Sequence, residues 1–148
     1  MMALEGGAAT IPSITDWVLS LMHRTLLAAG ASLILIGLVM GFDLSLFGDP
    51  ETALAAHVAA LQHGTILMVV GVAWRYARLG GLEAACGWAN ILGLVGIWLS
   101  LMVDAVWSDD LLPLGTFNGY LFMLTAWSLV AGFGLFLWGL LAAGKPSQ

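Results

Sequence analysis

Four apolar runs organise the chain, at about 19–42, 54–79, 82–107 and 117–143. A membrane-spanning helix needs about 20 apolar residues, each adding about 1.5 Å of rise, and every run is that long. Turn and charge signals separate them: Gly48-Asp49-Pro50, Gly80-Gly81, and Ser108-Asp109-Asp110 through Pro113-Leu114-Gly115. Links this short make neighbouring helices antiparallel. An open sheet would leave unpaired edge groups in lipid, so the runs are read as helices. The pattern predicts an all-α fold, a four-transmembrane-helix bundle forming one membrane domain over residues 1–148. Flexible tails are expected at 1–16 and 144–148. No internal repeat or low-complexity segment stands out.

Composition agrees with a membrane protein. The chain is 61% hydrophobic and 9% charged, with a mean hydropathy of +1.00; soluble domains carry about 25% charged residues. The single cysteine, Cys86, excludes an intramolecular disulfide or a thiolate cluster. In an apolar helix it reads as an inert thiol. A net charge of −5 and the lack of a basic stripe exclude nucleic acid as a partner. Residues 1–16 contain Glu5 and Asp16 but no basic residue, which is not a signal-peptide layout.

Charge also predicts orientation. Arg24, Arg75, Arg78 and Lys145 fall on one side of the layout. Asp43, Asp49, Glu51, Asp104, Asp109 and Asp110 fall on the other. The positive-inside rule then puts both termini in the cytoplasm, with the chain in a bacterial-type inner membrane. Trp17, Trp74 and Trp107 sit near helix ends and read as interfacial anchors; Trp88, Trp98 and Trp127 are deeper and read as packing residues facing the bundle interior. The glycines, Gly87, Gly93, Gly96, Gly132 and Gly134 among them, permit close helix approach.

The chemistry must come from the few polar residues within the runs: His57, Gln62, His63 and Asn90, with His23, Asp104 and Asn118 nearer the ends. Ionisable and polar groups are costly in hydrocarbon and usually have a use there. His57 and His63 are six residues apart, roughly 9 Å along a helix and on different faces. They cannot grip one small metal ion, which needs an i, i+4 pair. Two separate roles, or roles in different subunits, remain. His57 shares a face with Leu61 and Gly64. Gly64 would leave a flat gap over which a macrocycle could lie, its iron held by the imidazole; the competing reading is a histidine hydrogen-bonded to a neighbouring helix. Asn90, in Gly87-Trp88-Ala89-Asn90, carries a carboxamide that must find a helix, ligand or water partner. His23, beside Arg24, reads as interfacial, and Asp104 as either solvated or functional.

With these residues assembled, the chain resembles the small four-helix membrane isomerases that include styrene oxide isomerase and hydroxylaminobenzene mutase. The resemblance rests on Ala56-His57, Ala60-Leu61-x-x-Gly64 and Gly87-Trp88-Ala89-Asn90, with looser agreement at His23 through Gly41-Phe42 and at Leu137-Trp138-Gly139-Leu140. It implies a homotrimer holding a ferric haem b at a subunit interface. His57 becomes the axial ligand to the haem iron, Gly64 a cofactor-binding position and Asn90 a pocket residue. His63 stands where the family usually has asparagine. Cys86 and Leu94 stand where styrene oxide isomerase has aspartate and tyrosine. These departures leave the substrate open between a small aromatic hydroxylamine and an epoxide.

The expected activity is a non-redox isomerase or mutase acting on a small apolar aromatic substrate that partitions into the lipid bilayer. A ferric haem acts as a Lewis acid on the substrate oxygen. His63 serves as a proton shuttle, and Asn90 orients the substrate or the departing oxygen. Two other classes stay in view. If His63 of a neighbouring subunit reached the iron, the protein would be a small bis-histidine b-type cytochrome for electron transfer. If both histidines only pack, it would be a cofactor-free membrane interaction protein.

Overall fold

A computed structural model describes residues 14–107 and 117–143, with side chains from 21–106 and 117–143. Residues 1–13 and 144–148, Asp109, Asp110 and the side chains of Trp17 and Trp107 lie outside the described residues, whereas Ile14, Thr15 and Asp16, expected in a flexible tail, belong to the first helix. The elements are α1 (Ile14–Met40), α2 (Pro50–Ala73), α3 (Glu83–Trp107) and α4 (Phe117–Ala143), with short 3₁₀ turns at Leu44–Leu46 and Trp74–Tyr76. No strand occurs among the described residues. All four helices are long and apolar enough to cross a membrane.

Local chemistry sets the helix ends. Helix α2 begins four residues before its apolar run, because Pro50-Glu51-Thr52 fill its first turn. Asp49 caps it, accepting hydrogen bonds from the Glu51 and Thr52 amides, and Pro50 occupies a first-turn position where its missing N–H costs nothing. Ala73 leads into the 3₁₀ turn, and the Arg78 amide then donates to the Gly139 carbonyl of α4 at 3.0 Å. Gly80 and Gly81 reverse the chain with φ of 58° and 95°, a backbone that side-chain-bearing residues rarely adopt.

Helix α3 is the hub. It packs on α1, α2 and α4, while the main neighbour of α4 is α3 itself. The core at one end gathers Met22, Leu26, Leu67, Val70, Trp74, Leu79, Cys86 and Phe136. The Trp74 ring stacks on Phe136 with centroids 5.8 Å apart. This corrects the tryptophan reading. Trp74, expected as an interfacial anchor, is only 1% exposed, whereas Trp88 and Trp127, expected to face inwards, are 50% and 67% exposed. Among the described charges, Arg24, Arg75 and Arg78 lie towards one end of the bundle together with the buried Glu83, and Asp43, Asp49, Glu51 and Asp104 towards the other.

The expectation of no internal repeat is also corrected, because the α1–α2 pair contains one. Residues 23–37 and 57–71 align at an offset of 34 and share His23/His57, Leu27/Leu61, Gly30/Gly64, Leu33/Leu67 and Gly37/Gly71. In space the two copies are related by a local two-fold axis at the Gly30–Gly64 crossing. A Cβ on Gly30 would fall 2.6 Å from the Gly64 carbonyl oxygen, and one on Gly64 the same 2.6 Å from that of Gly30. Met68 flanks Gly30 as Ile34 flanks Gly64, and Leu27 covers Gly71 as Leu61 covers Gly37.

Candidate functional site

The three histidines share one geometry. Each directs Nδ1 at a backbone carbonyl on the next helix: His57 at Gly37 (2.7 Å), His23 at Gly71 (2.8 Å) and His63 at Leu94 (2.9 Å). A carbonyl oxygen only accepts, so Nδ1 carries the proton. In the neutral ring Nε2 is then the lone-pair nitrogen, and in none of the three does it make a hydrogen bond among the described residues. All three rings are half-buried. Histidines that ligate metals commonly have this arrangement, with one nitrogen tied to a carbonyl and the other free. The expected alternatives for His57, a hydrogen bond to a neighbouring helix or a nitrogen available for iron, therefore coexist on one ring.

Helix α1 shapes the surroundings of His57. Gly41 lies against the ring, where a Cβ would come within 2.6 Å of Cε1. Gly64 does not leave the expected flat gap. Gly30 and Ile34 of α1 fill that space, so Gly64 is a helix-crossing residue in this chain. The outward side of α2 instead carries a shallow groove of about 440 Å³ lined by Leu61, Gln62, Thr65 and Ile66, starting one turn beyond His57. The Thr65 hydroxyl donates to the Leu61 carbonyl, while the exposed Gln62 carboxamide has no hydrogen bond among the described residues.

Asn90 is fully buried in α3. Its Nδ2 donates to the Cys86 carbonyl at 2.8 Å, and its Oδ1 has no partner among the described residues. Gly132 of α4 lies directly over it, since a Cβ there would fall 2.8 Å from the Asn90 nitrogen. Cys86 is buried beside it, its thiol directed at the Gly132 carbonyl at 3.4 Å. An orphaned acceptor in a dry helix interface is costly, and such exceptions often mark function.

The sequence-derived residues therefore occupy three successive interfaces of one chain: His57 and Gly64 between α1 and α2, His63 between α2 and α3, and Asn90 between α3 and α4. Leu94, the partner of His63, is one turn from Asn90 on α3, but the Asn90 side chain turns back towards Cys86. Asp104, half-buried, accepts a hydrogen bond from Asn118, so it is not simply solvated. The His23–Gly71 contact and the position of Gly41 against His57 were not anticipated. The signal for the former was His-x₆-Gly-x₆-Gly, present in both α1 and α2. Among the described residues no group of three or more His, Cys, Asp or Glu could hold a metal ion.

No family model and no solved structure matches the chain. Two curated relatives do. Hydroxylaminobenzene mutase HabA of Ectopseudomonas oleovorans is 31% identical over 87 residues, covering 58% of this chain and 64% of the relative. Hydroxylaminobenzene mutase HabB of the same organism is 32% identical over 88 residues, covering 58% of this chain and 53% of the relative. The chain thus spans about three-fifths and one-half of the lengths of these two relatives. Over more than half of its own residues, it resembles the hydroxylaminobenzene mutases.

Proposed function

We propose that this protein is a membrane mutase that rearranges a small aromatic hydroxylamine, with His57 Nε2 as the nitrogen that would hold the iron of a ferric haem b. The observation that carries the reading is the His57 ring, whose Nδ1 is tied to Gly37 while Nε2 is left without a partner. The resemblance to two hydroxylaminobenzene mutases supplies the substrate class. When bound, a ferric haem supplies a Lewis-acidic iron for the substrate oxygen.

The reaction conserves composition. An N–O bond breaks, a C–O bond forms on the ring, a ring proton leaves and a proton returns to nitrogen. No electron partner is required. His63 Nε2, a lone-pair nitrogen, carries the proton between carbon and nitrogen. Asn90 Oδ1, an acceptor with no donor among the described residues, takes the hydroxylamine O–H or N–H when the α3–α4 interface that buries it opens to the substrate. The apolar helices exclude the water that would divert a cationic intermediate. Gln62 on the outward side of α2 supports burial of that side against a second copy, because an unpaired carboxamide is costly in hydrocarbon. The segregation of Arg24, Arg75 and Arg78 from the acidic end supports cytoplasmic termini in an inner membrane.

His57→Asn tests the reading. Asparagine keeps an N–H donor near the position of Nδ1, so the contact to Gly37 survives, but it has nothing at Nε2. The expected result is a folded protein that neither develops a Soret band on haem titration nor turns over hydroxylaminobenzene. Retention of both by His57→Asn would remove His57 as the ligand. A second reading stays open because His63 has the same tied-and-free geometry. A low-spin six-coordinate ferric spectrum that becomes high-spin in His63→Ala would identify a bis-histidine cytochrome instead.

A further inference from the structure

His23 enters none of the chemistry above, yet the local two-fold axis makes it the exact counterpart of His57. Both histidines lie seven residues before a crossing glycine, Gly30 or Gly64, and fourteen before a second glycine, Gly37 or Gly71. Each donates to the second glycine of the other copy, at 2.8 Å from His23 and 2.7 Å from His57. The helix pair is therefore clasped at both ends and touches backbone to backbone in the middle, like a pair of scissors with Gly30 and Gly64 at the pivot.

We propose that His23 is a positioning residue for His57, acting through the angle at which α1 crosses α2. Each arm from pivot to clasp is seven residues, roughly 10 Å. A change in crossing angle of about 10° moves the far clasp by about 2 Å, which takes a 2.7 Å hydrogen bond beyond its limit of about 3.5 Å. The crossing brings the two glycines together backbone to backbone with Met68 and Ile34 packed beside them, so both clasps extend from one close contact and share its angle. Opening the His23 end therefore opens the His57 end. That frees Nδ1 from Gly37 and lets the proton exchange between the two ring nitrogens, so Nε2 is no longer held as the lone-pair nitrogen. Gly41 offers the ring no lateral support once it is released, having no side chain.

The functional consequence rests on His57 being the ligating side chain, but the structural claim does not. The test therefore reads the His57 ring in the haem-free, full-length protein in detergent, by nitrogen-15 NMR of the imidazoles. Wild type is expected to show His57 as a single Nδ1-protonated tautomer. His23→Ala is expected to convert it to a mixture of tautomers, and His23→Asn, which restores a donor near Nδ1, to return it to the single form. Should His23→Ala fail to fold, His23→Gln serves in its place, since its amide reaches past the Gly71 carbonyl and is expected to give the mixture as well. An unchanged His57 tautomer in a folded His23→Ala or His23→Gln protein overturns the proposal, as does failure of His23→Asn to restore it. Haem titration of the same samples is scored separately, so absence of a haem site defeats the functional reading while the tautomer result still decides this one.

Discussion

An imidazole inside a helix pair has two nitrogens to satisfy, and a backbone carbonyl can take care of only one. That arithmetic makes His23, His57 and His63 worth separating by substitution, because asparagine keeps the tied nitrogen and removes the free one. Asn90 poses the opposite problem, with its nitrogen paired to the Cys86 carbonyl and its oxygen orphaned. Replacing it by leucine, close to it in shape, loses one hydrogen bond and removes one unsatisfied acceptor. These effects are each about 1 kcal/mol and opposite in sign. Asn90→Leu is therefore expected to unfold in detergent within about 1 kcal/mol of wild type, while hydroxylaminobenzene turnover is lost. A large loss of stability would mark Asn90 as structural. The buried carboxamide was legible in the sequence as a group needing a partner. Its missing partner was not, because one helix does not disclose what the next one brings.

At the scale of the helices, lipid made the spans easy to find and their faces hard to read. A bilayer fixes how long an apolar segment must be, so all four runs became helices. It does not distinguish an apolar side chain in the core from one on the outside, which is why Trp74 and Trp127 exchanged their expected places. The α1–α2 crossing gives a quantitative test. Gly30→Ala and Gly64→Ala each push a methyl against the facing carbonyl, and each is expected to cost about 1–3 kcal/mol in denaturation. The double variant should cost less than the sum, since helices already separated by one methyl accommodate the second. Strict additivity would show that the two glycines do not share a contact. The start of α2 responds to pH. Hydrogen bonds, first from the Thr52 side chain and then from its amide, hold the Asp49 carboxyl below the usual carboxylate range. A depressed pKa contributes stability that is present above the unfolded value and lost as pH falls through the folded one. Protection of the first-turn amides of α2, taken relative to their intrinsic exchange rates, should fall on acidification below that range, and in Asp49→Asn it should lose that dependence.

For the molecule as a whole, the outward side of α2 is the informative surface. Val58, Gln62, Thr65, Val69 and Val72 are all exposed on it, at helical spacing. A carboxamide near the middle of a span pairs across an interface more readily than it faces acyl chains, and such interhelical bonds are worth about 1–2 kcal/mol. Gln62→Leu is expected to weaken self-association in detergent by roughly tenfold, the equivalent of about 1.4 kcal/mol, as read by light scattering across a dilution series. Unaltered association would place the contact on another helix.

The repeated half-turn symmetry of α1 and α2 has one more consequence, for how the two faces of the membrane come to differ. A module that maps onto itself when inverted is indifferent to which leaflet it meets. Whatever sidedness it has must reside where the copies disagree: beside the histidines Ala56 is matched by Met22 and Val58 by Arg24, and Gly41, which lies against the His57 ring, is matched by Arg75. One imidazole thus has an apolar chain neighbour and a glycine at its ring, and its twin sits on the end of the pair that carries the guanidinium groups.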